Sequence, residues 1–356
     1  MGCTVTGAGK ALPRRVVTND DLSKIVDTSD EWIVPRTGIH TRRIAINESA
    51  TDLASAAGFA AMGLPASFEG ATLPETAGWN AKQAELDSID LLICMTITPD
   101  ATIPSQASLV KASMGLENAV AFDLNAACSG CVYGISVAEQ MMAASHAAIG
   151  ATGNAINRAL VIGVERLSRI TDWTDRATCV LFGDGAGATL LEWSEDATGI
   201  RSTFMKNTDD VDYTLIRSNM FDNSTFPFGD AELAKMPFEK IDFIGMNGRA
   251  VFKFAGNALA EAASTVLARA DVKLDEIKCI VPHQANERII KYAAKKLGVG
   301  EDLFQISIGH SANTSAASAL MALCDAYCAG RISASDKVIM AGFGGGLTSG
   351  ALLYEA

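Results

Sequence analysis

The chain has 356 residues, 49% hydrophobic and 20% charged, which excludes a disordered or low-complexity protein and leaves room for two domains. Its 29 basic and 41 acidic residues give a net charge of −12, which argues against broad binding to nucleic acid or anionic membrane. No apolar run approaches the roughly 20 residues of a bilayer span. Eight scattered cysteines do not form a secreted disulfide framework, and Met1–Gly7 lacks the basic start and apolar core of a signal peptide. The expectation is a reduced, cytoplasmic protein with a large core.

In chain order, the candidate strands are Leu91–Thr96, Ala119–Leu124, Ala159–Val164, Ala186–Leu191, Cys279–Val281, Phe304–Ile308, Val338–Ala341 and Ala351–Tyr354. Ala-rich helical stretches lie between them at Cys128–Ala148, Ala255–Ala270, Glu287–Leu297 and Thr314–Ala329. Short apolar strands alternating with helices predict an α/β protein with a largely parallel sheet. Asp87–Ile93 resembles Asp275–Val281, and Phe182–Ala188 resembles Phe343–Ala351, in the same order. Two related halves follow, 1–197 and 198–356, with the boundary near Glu195–Arg201. The stretch Met62–Leu86 has two prolines, three glycines and no clean period, and reads as a surface insertion. Asn207–Pro237 reads as a polar loop region bordering a site.

Chemistry concentrates at strand ends. Cys128 follows a strand and opens a helix, where free N–H groups and the helix dipole favour a thiolate. Its bland alternative is a small buried hydrophobe. Cys128 and Cys131 also have the spacing of a redox pair or half a zinc site. Of the four histidines, His40 stands among arginines and His146 lies late in a helix. His283 ends the apolar run Cys279–Pro282, where parallel sheets place sites. His310 and Asn313 lie at another junction, and Asn313 alone would read as an N-cap. Cys128, His283 and Asn313 together fit acyl transfer through a thioester, or a cysteine hydrolase with His as base. The glycine turns at 183–187 and 342–346 fit no dinucleotide or P-loop pattern; they read as places of close backbone approach, and 344–346 could offer an N–H to an oxyanion. Arg288, Lys291 and Lys295 share one helix face, with Arg249 and Lys253 upstream; on an acidic protein this face could dock an acidic partner.

Six stretches carry a family resemblance: Asp30–Ile39, Asn125–Gly130, Thr174–Thr178 with Phe182–Ala188, Val281–Asn286, Asn313–Ser318 and Phe343–Gly346. In this order the chain resembles β-ketoacyl-[acyl carrier protein] synthase III, a condensing enzyme. The resemblance implies a thiolase-like fold: two related α/β halves in a layered α-β-α-β-α sandwich. It implies a decarboxylative condensation of an acyl-CoA primer with malonyl-acyl carrier protein through an acyl-Cys128 thioester. Cys128, His283 and Asn313 would be catalytic, the Cys128 and Gly345 N–H groups the oxyanion hole, and Phe343 a gate. Trp32, Arg36, Arg176, Gly248 and Asn286 would contact CoA and its pantetheine. Gln284, Ala285, Asn286, Glu287, Arg288, Arg249, Lys253, Lys291 and Lys295 would form the carrier-protein dock. Ile103 would reach the acyl pocket across a homodimer, where many relatives carry Phe. No metal and no cofactor beyond the acyl-CoA substrate is implied. Ala312 replaces the usual Gly before Asn313, and Glu287 replaces an apolar residue in the dock. Alternatives of the same fold are a non-elongating acyltransferase or thioesterase and a secondary-metabolite ketosynthase; a CxxC redox protein is a more distant one.

Overall fold

The computed structural model describes residues 2–64, 79–147, 155–195, 199–210, 212–216 and 243–356. Most of the Met62–Leu86 insertion, part of the 207–237 loop and part of the half boundary therefore lie outside the described residues.

Two sheets form the frame. The first contains β1 (Gly2–Ala11), β2 (Leu91–Met95), β3 (Val120–Leu124), β4 (Arg158–Arg166) and β5 (Asp184–Ser194), in the order β1-β5-β4-β2-β3. The second contains β6 (Ile200–Asn207), β7 (Ile277–Pro282), β8 (Lys337–Gly344) and β9 (Thr348–Glu355), in the order β7-β8-β9-β6. Only the pairs β2–β3, β2–β4 and β7–β8 are parallel; β1–β5, β4–β5, β8–β9 and β6–β9 are antiparallel. The largely parallel sheet expected from sequence is thus corrected to two mixed sheets. Apolar content reports burial on both faces, which an antiparallel strand between helix layers also has. Phe304–Ile308 is not a strand: Phe304 makes one isolated bridge to Ile280, and Ile308 opens a short helix, Ile308–Ser311.

Helices complete five layers. Helix α1 (Asp30–Thr37) lies outside the sandwich proper, capped by Ser29. Helix α2 (Ala50–Ala61) starts at a capping box between Ser49 and Asp52 and covers the outer face of the first sheet. Helices α3 (Gly130–Ala147) and α6 (Ser318–Cys328) fill the middle layer. One core joins Met95, Val161 and Leu191 of the first sheet to Val281, Met340 and Leu352 of the second through Ile135 and Leu320 of these helices. Helices α4 (Gly248–Ala270) and α5 (Glu287–Leu297) cover the outer face of the second sheet. This is the expected α-β-α-β-α sandwich. Its consequence is that the C-terminal ends of β3 and β7 and the start of α6 meet near the middle layer. No helix among the described residues is long and apolar enough to cross a membrane.

Candidate active site

Cys128 sits in a 3₁₀ turn, Ala127–Ser129, that runs directly into α3. Ala127 holds φ +44°, a left-handed conformation that costs an alanine about 1 kcal/mol. The turn is held by Asn125 Oδ1, which accepts the Ala127 N–H at 3.2 Å, and by Thr348 Oγ1, which donates to the Ala126 carbonyl at 3.2 Å. Gly344 is needed where it stands. A Cβ there would lie 2.7 Å from the Cys128 backbone nitrogen, and that atom cannot move without moving the turn.

His283 follows β7, and its N–H donates to the Ala341 carbonyl at 2.7 Å. Its Nδ1 lies 2.5 Å from Ser318 Oγ, which also accepts the Gln284 N–H at 3.1 Å. Asn313 comes from the connection into α6 and is pinned to the N-terminal part of the chain. Its N–H donates to the Leu181 carbonyl at 2.9 Å, and its own carbonyl accepts the Gly183 N–H at 3.0 Å. Gly183 permits this, since a Cβ there would lie 2.5 Å from the Ser311 carbonyl oxygen. The N-cap reading of Asn313 is replaced by a tighter arrangement: its Oδ1 accepts the Ser315 N–H, two residues on, at 2.8 Å. Ala312 just before it has φ +57° and ψ −161°, a region that essentially only glycine occupies without strain.

Cys128, His283, Asn313 and Phe343 line one narrow cavity of about 90 Å³ with Gly248 and Asn286. Phe343 meets the imidazole edge-on, with ring centroids 5.1 Å apart. Cys128 also lines a second cavity of about 290 Å³, walled by Ile97, Leu167, Ile170, Phe182 and Ile244, which Gly345 borders as well. The sulfur therefore stands between a small polar-ended passage and a larger apolar chamber.

Burial sets the electrostatics. Cys128 is 8% exposed, and desolvation pushes its thiol up to about 12. The thiolate expected from the helix start is thus corrected: loss of water outweighs the donors of the turn in the resting site. Burial also pushes His283 down to about 3, so the imidazole is neutral. A neutral thiol beside a neutral imidazole is not the ion pair of a cysteine hydrolase. Asn313 Oδ1 and His283 Nδ1 are both engaged elsewhere, so Asn313 does not orient the imidazole as a hydrolase triad requires. Cys131 is fully buried in the central core with its thiol raised to about 12, which denies it the reactivity of a redox partner.

Trp32 and Arg176 come together at the surface, with the Arg176 guanidinium 4.8 Å from the indole centroid and that of Arg36 at 4.7 Å. Asn286 caps α5 and donates from Nδ2 to the Arg36 carbonyl at 2.9 Å, tying this patch to the passage. On α5, Lys291 pairs with Glu287 at 2.7 Å and Glu301 at 3.6 Å, so part of the basic face is neutralised internally. Arg288 stacks 5.7 Å from the Phe252 ring, while Gln284 is buried and its amide donates to the Pro282 and Gln305 carbonyls. Gln284 is therefore a structural brace and not a docking surface. Ile103 is 90% exposed on the single chain and lines neither cavity.

Sequence reasoning passed over Ser315, Ser318 and Glu165, and it read Gly344 as a possible N–H donor and not as the residue that lets the Cys128 turn approach. Ser315 and Ser318 stood inside the Asn313–Ser318 motif, three residues apart at a helix start, which is a legible signal. Glu165 ended an apolar strand and carried no signal of its own.

Residues 122–208 match the family described as 3-Oxoacyl-[acyl-carrier-protein (ACP)] synthase III, and residues 267–356 match its C-terminal unit. The chain is 42% identical to a beta-ketoacyl-[acyl-carrier-protein] synthase III of Clostridium beijerinckii, over 99% of this chain and 98% of the relative. Among solved structures it is similar to 3-oxoacyl-[acyl-carrier-protein] synthase III from Aquifex aeolicus, at 37% identity, TM-score 0.84 and full coverage of both chains. It is also similar to the priming beta-ketosynthase of the R1128 polyketide pathway, at 29% identity and TM-score 0.81, over 99% of this chain and 96% of that one.

Proposed function

Because the chain belongs to the 3-oxoacyl-[acyl-carrier-protein] synthase III family, with its thiolase fold, we propose that it condenses an acyl-CoA primer with malonyl-acyl carrier protein to start fatty-acid synthesis. The primer acylates Cys128 and lays its chain in the apolar chamber. Malonyl-carrier protein then threads its pantetheine through the passage and loses CO₂, and the resulting enolate attacks the acyl-Cys128 carbonyl. The Cys128 and Gly345 N–H groups serve the acylation oxyanion, and His283 and Asn313 serve the enolate oxygen. Phe343 separates the sulfur from that pair.

One observation carries this reading. Asn313 has its Oδ1 committed to Ser315, which leaves its two Nδ2 protons for the cavity it lines. Ser318 Oγ accepts the Gln284 N–H and lies 2.5 Å from His283 Nδ1; donation of the Ser318 proton to Nδ1 is the arrangement that puts the imidazole proton on Nε2, facing the reaction. Two neutral donors thus serve one buried cavity without a metal, which suits an oxygen gaining negative charge in a dry site.

The remaining assignments rest on surface features. Trp32 and Arg176 would sandwich the CoA adenine, with Arg36 on its phosphate. Arg249, Lys253, Arg288 and Lys295 would meet the acidic carrier protein. A homodimer would form along β3, an edge strand on which Val120 is 61% exposed, and this would carry Ile103 toward the partner's chamber. The setting would be the cytoplasm. Incubation with a panel of acyl-CoAs followed by intact-mass measurement tests the nucleophile and ranks primers, and adding malonyl-carrier protein must release CO₂. An unacylated protein, or an acyl-enzyme that only hydrolyses, would contradict the proposal.

A further inference from the structure

The mechanism above leaves the thiol proton unassigned, since Cys128 rests as a buried neutral thiol and His283 is a weak base. Glu165, near the end of β4, has 0% exposure, and its charge is felt at Cys128. Among the described residues no cation pairs with it; its neighbour Arg166 turns to Asp100 at 3.8 Å. An acid buried this way without an ion-pair partner is expensive and marks a site with a task.

The hydrogen bonds around Glu165 are all arranged to donate to it. Its carboxyl accepts the Ile97 N–H at 3.1 Å. The Thr98 hydroxyl accepts the Arg166 N–H at 2.8 Å, so its proton is free for Glu165, 2.5 Å away. The Thr96 hydroxyl accepts the Thr98 N–H at 3.0 Å and donates to Glu165 at 3.3 Å. This shell is built for a carboxylate. Ser315 stands between the nucleophile and this acid: the Cys128 thiol donates to Ser315 Oγ at 3.4 Å, the 315–317 turn packs directly against β4, and the Ser315 hydroxyl favours the charged form of Glu165. The other ionisable groups that feel Glu165 are Cys94 on β2, with Asp123 and Asp100 also acting on it, and Cys128 itself.

We infer that Glu165, acting through the Ser315 hydroxyl, takes up the Cys128 thiol proton as the acyl group is transferred. The inference rests on Cys128 being the acylated residue. As Sγ bonds to the thioester carbon of acyl-CoA, the S–H bond breaks and its proton moves to Ser315 Oγ. The Ser315 proton moves to the Glu165 carboxylate. When the adduct collapses, the C–S bond to CoA breaks, and the CoA thiolate recovers the proton by the same route. One negative charge is present in the buried site before and after each transfer, so no charge pair is created in a low dielectric. Ser315 touches the reacting sulfur and is catalytic in this step; Glu165 is a positioning residue that holds the charge.

The test is single-turnover acylation of the full chain by acyl-CoA across pH, followed by intact mass, in wild type, Glu165→Gln and Ser315→Ala. Burial pushes Glu165 up to about 7, so the wild-type rate should rise with pH through an inflection there. Both variants should lose that inflection and acylate roughly 10²-fold more slowly near neutrality, with the deficit closing as rising pH ionises the thiol directly. Condensation measured from enzyme already acylated should lose much less than acylation does. Acylation at the wild-type rate in either variant, or a slower rate that keeps the inflection near neutrality, overturns the inference. Ser315→Ala leaves the Thr96, Thr98 and Ile97 donors in place and decides the matter if Glu165→Gln does not fold. Failure of wild type to acylate would instead overturn the proposed function itself.

Discussion

Replacing His283 by Gln removes a buried neutral imidazole, and its consequences can be worked out from burial alone. Desolvation lowers His283 from 6.5 to about 3. In the unfolded chain the imidazole gains a proton below 6.5, whereas in the folded protein it does not until about 3. Its contribution to stability is therefore complete above 6.5 and is lost as pH falls toward 3. At about pH 5 the loss is about 2 kcal/mol, at roughly 1.4 kcal/mol per pH unit. Glu165 works in the opposite sense. Burial raises it from 4.5 to about 7, so its contribution is complete below 4.5 and is lost as pH rises through 7. The two terms largely cancel in the wild type, which would look almost indifferent to mild acid on their account. Comparison with His283→Gln exposes the histidine. Urea unfolding at about pH 7.5 and about pH 5 should show the wild type losing about 2 kcal/mol relative to the variant. A difference between the two proteins that stays constant with pH would refute the claim that His283 is held neutral by burial. In the same variant, acyl-Cys128 should still form, while decarboxylation of malonyl-carrier protein falls about 10²- to 10³-fold.

Gly344→Ala should force the Cys128 turn to move, because the new Cβ would lie 2.7 Å from its backbone nitrogen. A stability loss of about 1–3 kcal/mol in thermal melts and an acylation rate down at least about tenfold are expected; unchanged acylation would contradict the contact. Ala312→Gly should relieve about 1–3 kcal/mol of backbone strain at φ +57°. The glycine's greater unfolded-state freedom and the lost methyl offset about 1.5 kcal/mol of it. The melting point should therefore hold or rise slightly, and a drop of several degrees would show that the alanine is unstrained. Arg176→Ala, which removes one guanidinium from Trp32, should raise KM for acyl-CoA several-fold and leave kcat intact, with no effect on acyl-pantetheine substrates lacking the nucleotide.

The residues that carry motifs were readable in the chain. Cys128 and His283 each follow a short apolar strand, and the ends of such strands are places for chemistry, whereas Asn313 was legible from its motif, since the run before it is not a strand. Helix α5 was readable to its ends, because Asn286 caps its start and Gly298, at φ +74°, its finish. Local steric and hydrogen-bond preferences act over a few residues, and a sequence displays them directly.

Other features depended on groups far apart in the chain. The antiparallel pairing of β1 with β5 and of β6 with β9 joins segments far apart in the chain and left no local trace, whereas β8 and β9, joined by three residues, can only be antiparallel. Phe304–Ile308 has the composition of a strand, but β7 offers it only one bridge. A helix start favours a thiolate locally, yet the state of the Cys128 sulfur is decided by how much water the packed halves exclude, and burial wins. Glu165 and Ser315 are 150 residues apart in sequence and share one dry pocket only after both sheets close on the middle layer. Desolvation is a property of the assembled core, so both the resting proton of Cys128 and the buried acid felt by it were decided by tertiary structure alone.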